Sequence, residues 1–371
     1  MGVFTIRAVT SLEEFERLAD PWNALLKQAG ADNIFLTWEW LYTWAKHYLG
    51  DHRLWIILVY KGESQLVGIA PFYIRRVNTY GVFSLREMRF LASEGVGSAY
   101  LDFIVPKPNK KAVLEHIYRY LHDEVGRVWD TLTLSEIPAE SSTVDFWDSF
   151  NQEAGKVLEI VGTTACPLIE LTGRLEDFLK GISRNKRYNL QRKRKRLERA
   201  GSVVYERASP IHDGGKALET FIELHRMRWG QKAPNGTFGS QRFLAFHQEI
   251  ATLFGERGWI RLDFLRLNGE AIAGIYGYSC HGRYSFYLPG FNPTICPEAS
   301  PGILLLFHCI KEAIAERHKQ FDLLWGAADY KMAWANGLRR SLTLRHYNRH
   351  VRNTAVKLLQ SGKDIVKVLV R

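Results

Sequence analysis

Two stretches of this chain carry the same alternation of apolar and polar positions. Leu58–Ile74, LVYKGESQLVGIAPFYI, reads as strand, glycine turn, strand. Leu265–Tyr278, LRLNGEAIAGIYGY, reads the same way about 200 residues later. Each hairpin is followed by a helical stripe and a buried strand with an aromatic–Asp start, over Lys110–Pro138 and Ser300–Gly326. In the first stripe Val113, Leu114, Ile117, Tyr118 and Leu121 recur at helical spacing, which predicts a helix over 110–124. The second predicts a helix over 301–317. Order, spacing and junction recur together, so the pattern predicts a duplicated unit.

Between these landmarks the pattern is readable in outline. Residues 1–50 read as helices rich in Trp, with Ser11 and Thr37 as N-caps, Glu14 as capping-box partner and Gly50 as a C-terminal stop. Trp38, Trp40, Tyr42 and Trp44 read as packing. Further strands are expected at 54–60, 66–75, 85–90, 99–105, 131–134 and 166–171. In the second half they fall at 202–206, 260–266, 271–278, 284–288 and 321–325. Helices are expected at 215–229 and 241–253, and a loop or helical turn at 329–334. The fold class is therefore α/β, with two mixed sheets flanked by helices. The expected divisions are an N-terminal domain over 1–175 that shapes an acceptor groove, a basic connecting helix over 176–201, a C-terminal domain over 202–350 and a basic amphipathic tail over 351–371.

Composition narrows the class. At 371 residues and 46% hydrophobic, the chain has the means to build large cores and is not a disordered protein. No apolar run is long enough to span a bilayer. The N-terminus lacks a basic segment followed by an apolar core, so no secretory signal is expected. Cys166, Cys280, Cys296 and Cys309 form no CxxC pair and stand near no His cluster; buried free thiols and no metal are expected. The formal net charge of +11 favours an anionic partner.

That charge is concentrated. Ser183–Arg199, SRNKRYNLQRKRKRLER, holds nine Lys or Arg and one acid, Glu198. Arg184, Lys186 and Arg187 lead it as anion- or acceptor-binding candidates. The alternatives are a solvated helix, an acidic membrane surface and, less favoured because Tyr188 is its one aromatic, RNA. A second candidate is the loop Gly290–Leu306. Pro301 suits the first turn of a helix, Gly302 permits close backbone approach, and a helix start attracts phosphate. A third is FDLLWGAADYKMAWA, with Asp322, Tyr330, Lys331 and Trp334. A fourth is the helical FIELHRMRW, with Glu223, His225 and Arg226. Glu94 and Asp102 are offered by the first repeat, and His52, His116, His212 and His281 stand alone. No serine elbow, phosphate-binding Walker loop or HExxH pair occurs.

The hairpin, the strand, the Gly-bearing loop and the helix beginning PGILLL resemble the core of GNAT acyltransferases. That family's loop is Gln/Arg-x-x-Gly-x-Gly/Ala-x-x-Leu. Laid on this chain, its glycines fall on Ser300 and Gly302, its Leu on Leu305 and its first residue on Pro297, so half the motif is kept. Two such units in tandem, with FLTWEWLYTWAKHY, ISRNKRYNLQRKRKRLERAG and FDLLWGAADYKMAWA, are similar to CelD-like acetyltransferases of cellulose biosynthesis and, more distantly, to Fem-like aminoacyl transferases. The resemblance implies an N-acyltransferase using acetyl-coenzyme A or another acyl-coenzyme A, with Ser300, Pro301, Gly302 and Leu305 at the donor. It implies an amine acceptor such as an amino sugar or glycan precursor of the envelope, and a place in the cytoplasm or at the inner face of the membrane. Asp322 or Glu223 would serve as base, Tyr330 as acid to the leaving group and Lys331 as a stabilising cation; Arg226 and Trp334 would face the acceptor. The other readings are a Fem-like enzyme using aminoacyl-tRNA and a degenerate protein that binds a glycan or a synthase.

Overall fold

The computed structural model describes residues 3–31, 33–79, 83–153, 155, 158–171, 173–209, 215–230 and 237–348. His212 and the expected tail at 351–371 lie outside them. In chain order the elements begin with β1 (Phe4–Val9), α1 (Leu12–Glu16), α2 (Ala19–Gln28), α3 (Trp38–Tyr48), β2 (Arg53–Lys61), β3 (Gln65–Thr79) and β4 (Phe83–Phe90). They continue with α4 (Lys110–Arg119), β5 (Thr131–Pro138), α5 (Ser142–Glu153) and β6 (Glu159–Glu170). Next come α6 (Leu175–Gly181), α7 (Arg184–Ala200), β7 (Val203–Ala208), α8 (Lys216–Trp229), α9 (Gln241–Glu256), β8 (Ile260–Leu267) and β9 (Glu270–Cys280). The last are β10 (Arg283–Phe291), α10 (Pro301–Ala315), β11 (Gln320–Asp322), α11 (Asp329–Met332) and β12 (Gly337–Tyr347).

The chain divides into two compact units. Unit 1 comprises Met1–Ala31, Phe35–Thr164 and Arg340–Arg371; unit 2 comprises Asp32–Ile34 and Ala165–Arg339. In unit 1, β1 to β4 are antiparallel neighbours, β5 runs parallel to β4, and Ser341–Tyr347 of β12 pairs antiparallel with β5. In unit 2, β7 to β10 are antiparallel neighbours, β11 runs parallel to β10, and Leu168–Glu170 of β6 pairs antiparallel with β11. The two orders are the same strand for strand. Detail recurs too: β2–β3 shifts register at Val59/Tyr60, β8–β9 at Leu265/Arg266, and the turns carry Gly62 and Gly269 at positive φ. The repeated sequence pattern is a repeated sheet.

Several sequence expectations are corrected. The first residues are not helical throughout, since Phe4–Val9 is an edge strand whose alternating pattern pairs with β2. The expected strand at 99–105 is a buried irregular segment. Gly97 and Tyr100 take positive φ, Ile104 alone bridges to Ile69, and the Asp102 carboxylate accepts from Ser141 Oγ, Thr143 Oγ1 and the Phe103 N–H in place of a ladder. The strand expected at 321–325 ends at Asp322, and Gly337–Tyr347, for which the pattern predicts no element, forms β12. The basic helix belongs to unit 2, and the division falls after Thr164 and Arg339 rather than at 175 and 350. Ser11 and Thr37 do cap, accepting from the N–H groups of Glu14 and Trp40.

Helix α8 lies on β10 at backbone contact. A Cβ on Gly290 would stand 2.6 Å from the His225 nitrogen and 2.8 Å from the Leu224 carbonyl carbon. Backbone cannot swing aside as a side chain can, so this glycine sets the distance between helix and sheet. Gly290→Ala should lower unfolding stability in urea by about 1–3 kcal/mol, the usual cost of overpacking. Gly302→Ala, whose Cβ would meet Phe291 at an ordinary 3.4 Å, should change it by less than about 1 kcal/mol.

Candidate active site

The site begins where two parallel strands part. β10 and β11 pair from Arg283 with Gln320 to Ser285 with Asp322, and no further. Past that point the segment after β11 leans the other way, with Leu323 N–H on Pro167 O and Gly326 N–H on Ala165 O. Asp322 Oδ1 accepts from the Leu324 N–H at 2.9 Å, and Leu324 turns to φ 54°. On the other side β10 takes an extra residue between Phe286 and Leu288, and Pro289 has no N–H to donate. The carbonyls left by the parting are met by one cation: Lys331 Nζ donates to Leu323 O at 2.7 Å and to Trp325 O at 2.5 Å.

Beside this opening lies a cavity of about 480 Å³. Phe286, Pro289 and Phe291 line it from β10, Pro301, Gly302 and Leu306 from α10, with Ser300, Tyr330 and Arg228. The walls are mainly apolar, and Arg228 is the one charged group among them. Its Nη1 donates to Pro289 O at 3.2 Å, and the same carbonyl accepts from His225 Nδ1 at 2.9 Å. Arg228 also stands near enough to the Tyr330 hydroxyl to act on it electrostatically. Burial raises the Tyr330 pKa above its ordinary value, with Arg228 opposing, so the phenol keeps its proton. Among the described residues the lining contains no carboxylate and no imidazole.

The start of α10 has mostly satisfied its own donors. Ala299 N–H bonds Cys296 O, Ser300 N–H bonds Pro297 O, and Ile303 N–H bonds Ser300 O. Pro301 has no N–H. Gly302 is left as the one amide of the turn without a carbonyl partner, so the diphosphate cradle expected from the sequence is reduced to a single N–H. Ser300 sits at φ 49°, ψ 64°, the left-handed conformation that suits the glycine found there in the resembling loop. Its hydroxyl meets Lys193 Nζ at 2.5 Å, which brings a side-chain cation to this turn.

The structure gathers some of the sequence candidates and separates others. Ser300, Pro301, Gly302 and Tyr330 share the cavity; Leu305 is fully buried in the core instead. Asp322 is fully buried at the strand end and does not line the cavity, with Arg339 Nη1 at 4.0 Å from its Oδ2. Glu223 and Arg226 line a separate groove between α8 and α9, and Arg226 donates to Phe238 O. Lys186 and Trp334 do meet, but as packing: Nζ lies 3.3 Å from the ring centroid and donates to Ala333 O, while Trp334 stacks on Phe307. Arg184 and Arg187 are exposed on α7. Cys296 is half-exposed and the other three thiols are buried, all free. Among the described residues no group of three His, Cys, Asp or Glu is placed to hold a metal ion, and no helix is long and apolar enough to cross a membrane.

Sequence reasoning missed Arg228 and Lys193. Helical counting could have found the first. Arg228 lies three and four residues after His225 and Leu224, on the stripe that α8 buries against β10, whereas Glu223 and Arg226 point away. In unit 1 the corresponding edge of β4 is filled by charge. Glu87 accepts from Thr133 Oγ1 and pairs with Arg75 and Arg89, both of which also reach Glu94.

Three lysines around the site, Lys331, Lys186 and Lys193, are shifted down by burial, the first two furthest. Burial lowers Lys331 and Lys186 each to about 8. Between about 8 and the unfolded value of 10.5, the unfolded chain holds a proton that the folded one has released, so this pair makes stability rise with pH in that window. Carbon-13 reductive methylation followed by NMR should show two lysine resonances titrating near pH 8. One should vanish in Lys331→Met and the other in Lys186→Met; ordinary titration of all lysines would refute the burial of both.

Residues 184–332 match the family described as acetyltransferase (GNAT) domain. No curated protein matches the sequence. Among solved structures, FemX superposes with a TM-score of 0.64 at 11% identity, over 96% of this chain and 99% of that one. L-PGS from Bacillus licheniformis gives 0.53 at 14% identity over 92% and 95%. The C-terminal domain (DUF2156) of a putative lysylphosphatidylglycerol synthetase from Agrobacterium fabrum gives 0.53 at 12% over 95% and 96%. At these identities the likeness is one of fold. With the family match and the mixed sheets flanked by helices, residues 184–332 form a GNAT acetyltransferase domain, and the chain is an acyltransferase on a GNAT-type α/β fold.

Proposed function

We propose that unit 2 moves an acyl group from acyl-coenzyme A to an amine, with the reacting carbonyl in the cavity beside Tyr330. The observation that carries this reading is the parting of β10 and β11 next to the start of α10, with a protonated phenol and a guanidinium at one wall. The neutral amine attacks the thioester carbonyl and the C–N bond forms. The tetrahedral intermediate then expels the thiolate, which takes the Tyr330 proton as the C–S bond breaks. The phenolate recovers a proton from solvent, and the amine's extra proton leaves to water because the lining offers no base. Arg228 stabilises the negative charge that develops beside Tyr330. Gly302 N–H and Lys193 meet the donor's phosphates. Lys331 and Asp322 act as positioning residues that keep the strand ends apart. The acceptor proposed is the amine of an amino sugar or envelope precursor, on the resemblance to CelD-like sequences.

A second reading, the ester of an aminoacyl-tRNA as donor, is favoured by two observations. The start of α10 has one amide left to offer. On α7, Arg184, Arg187, Arg192, Lys195 and Arg199 have no ion-pair partner among the described residues, while Arg194 is tied to Glu198. Such a donor would bind with steep salt dependence.

Tyr330→Phe should lower kcat by roughly a hundredfold, the scale of general acid catalysis, with an unchanged melting temperature. An unaltered kcat removes Tyr330 from the chemistry. Acetyl-coenzyme A should raise the melting temperature of the wild type but not that of Gly302→Val. If it raises neither while charged tRNA raises the wild type in low salt, the donor is the tRNA ester.

A further inference from the structure

A second cavity, of about 550 Å³, lies on the opposite side of α10. It shares no residue with the cavity beside Tyr330: α10 turns Gly302, Ile303 and Leu306 to that one, and Leu304, Phe307, His308 and Lys311 to this one. The basic helix α7 forms the facing wall, with α6 and β7 completing it. Five leucines from α6, α7 and α10, with Val203 of β7, outnumber the aromatic groups of the lining, Phe307 and the pair His308 and Tyr205 that stack at 4.3 Å. An aliphatic interior of this kind suits an alkyl chain rather than a planar ring.

The rim is cationic. Glu198 is its one carboxylate, and Arg194 already holds it at 2.7 Å. Arg187 and Lys311 have no ion-pair partner among the described residues. They also lie toward one end. Lys193 and Arg196 meet Ser300 and Glu298 before α10, whereas Lys186 meets Trp334 on Phe307, so the two helices run antiparallel and Arg187 falls at the Lys311 end. From Arg187 to Leu197 the wall extends about 15 Å along the axis of α7. The cleft is therefore an apolar trough with two free cations at one end and a neutralised pair at the other.

We propose that the cleft between α7 and α10 binds a free single-chain fatty carboxylate, its alkyl chain along the leucines and its carboxylate at Arg187 and Lys311. The site is separate from the transfer site, so binding requires no turnover.

The test is calorimetric titration of the full chain with laurate below its micellar concentration, beside hexanoate and dodecyltrimethylammonium. Laurate should bind saturably at one per chain, and hexanoate and the cation at least tenfold more weakly. Arg187→Gln/Lys311→Gln should weaken laurate about tenfold, and Leu179→Trp, which fills the half-buried trough wall, should remove binding, both with wild-type melting temperatures. A variant that melts early is replaced by Lys311→Gln alone, expected to weaken laurate severalfold. The proposal is overturned if laurate does not saturate, if the cation binds equally, or if the rim variants keep wild-type affinity. Binding to anionic vesicles without binding to monomeric laurate would likewise overturn it and assign the cations to a membrane surface.

Discussion

Everything the proposed site in unit 2 offers depends on where β11 lets go of β10. Two parallel strands that stayed paired would leave no room for a substrate carbonyl between them. The pairing stops because the chain after Asp322 takes its hydrogen bonds from β6, while a bulge and a proline remove β10 from the ladder. Opening a sheet strands carbonyl groups, and a buried carbonyl without a donor is costly. Lys331 answers that cost by donating to Leu323 and Trp325. Its lowered pKa is the other side of the same arrangement, since the ammonium that closes the strand end is itself drawn out of water.

The start of α10 shows a related economy. Its turn uses Ser300, not glycine, in a left-handed conformation and spends its amides on its own carbonyls. Negative charge at this helix must then be met largely by side chains, and Lys193 is already in place on Ser300. Side-chain cations are less rigid than backbone amides and more open to screening by salt. Helix α7 thus reaches the start of α10 through Lys193 as well as walling the cleft on the far side of that helix.

Repetition of the sheet has not meant repetition of the site. Unit 1 has the same strand order and its own buried aspartate at the corresponding junction, but Asp130 is gripped by the Arg86 guanidinium and backbone N–H. Along β4 the interlocked Arg75, Glu87, Arg89 and Glu94 occupy the edge that in unit 2 carries Phe286 and the apolar cavity. One unit fills its junction with paired charge; the other leaves it open and apolar with a single guanidinium.

Local pattern by itself determined the repeated hairpins and the helices with their serine and threonine caps, because these follow from periodicity and from residues adjacent in the chain; that Pro301, Gly302 and Tyr330 share one cavity was decided by the fold, which joins separate segments. It misread Ala99–Val105, whose β-like composition is overruled by the Asp102 anchor, and it hid β12, whose pairing partner lies some two hundred residues earlier. It ranked Glu223 and Arg226 above Arg228 because the face of a helix that meets a sheet is known only once the sheet is placed. It also read Lys186 and Lys331 as groups waiting for a ligand. Tertiary structure gave both of them protein carbonyls to hold, since a cation removed from water binds the nearest dipoles the fold provides.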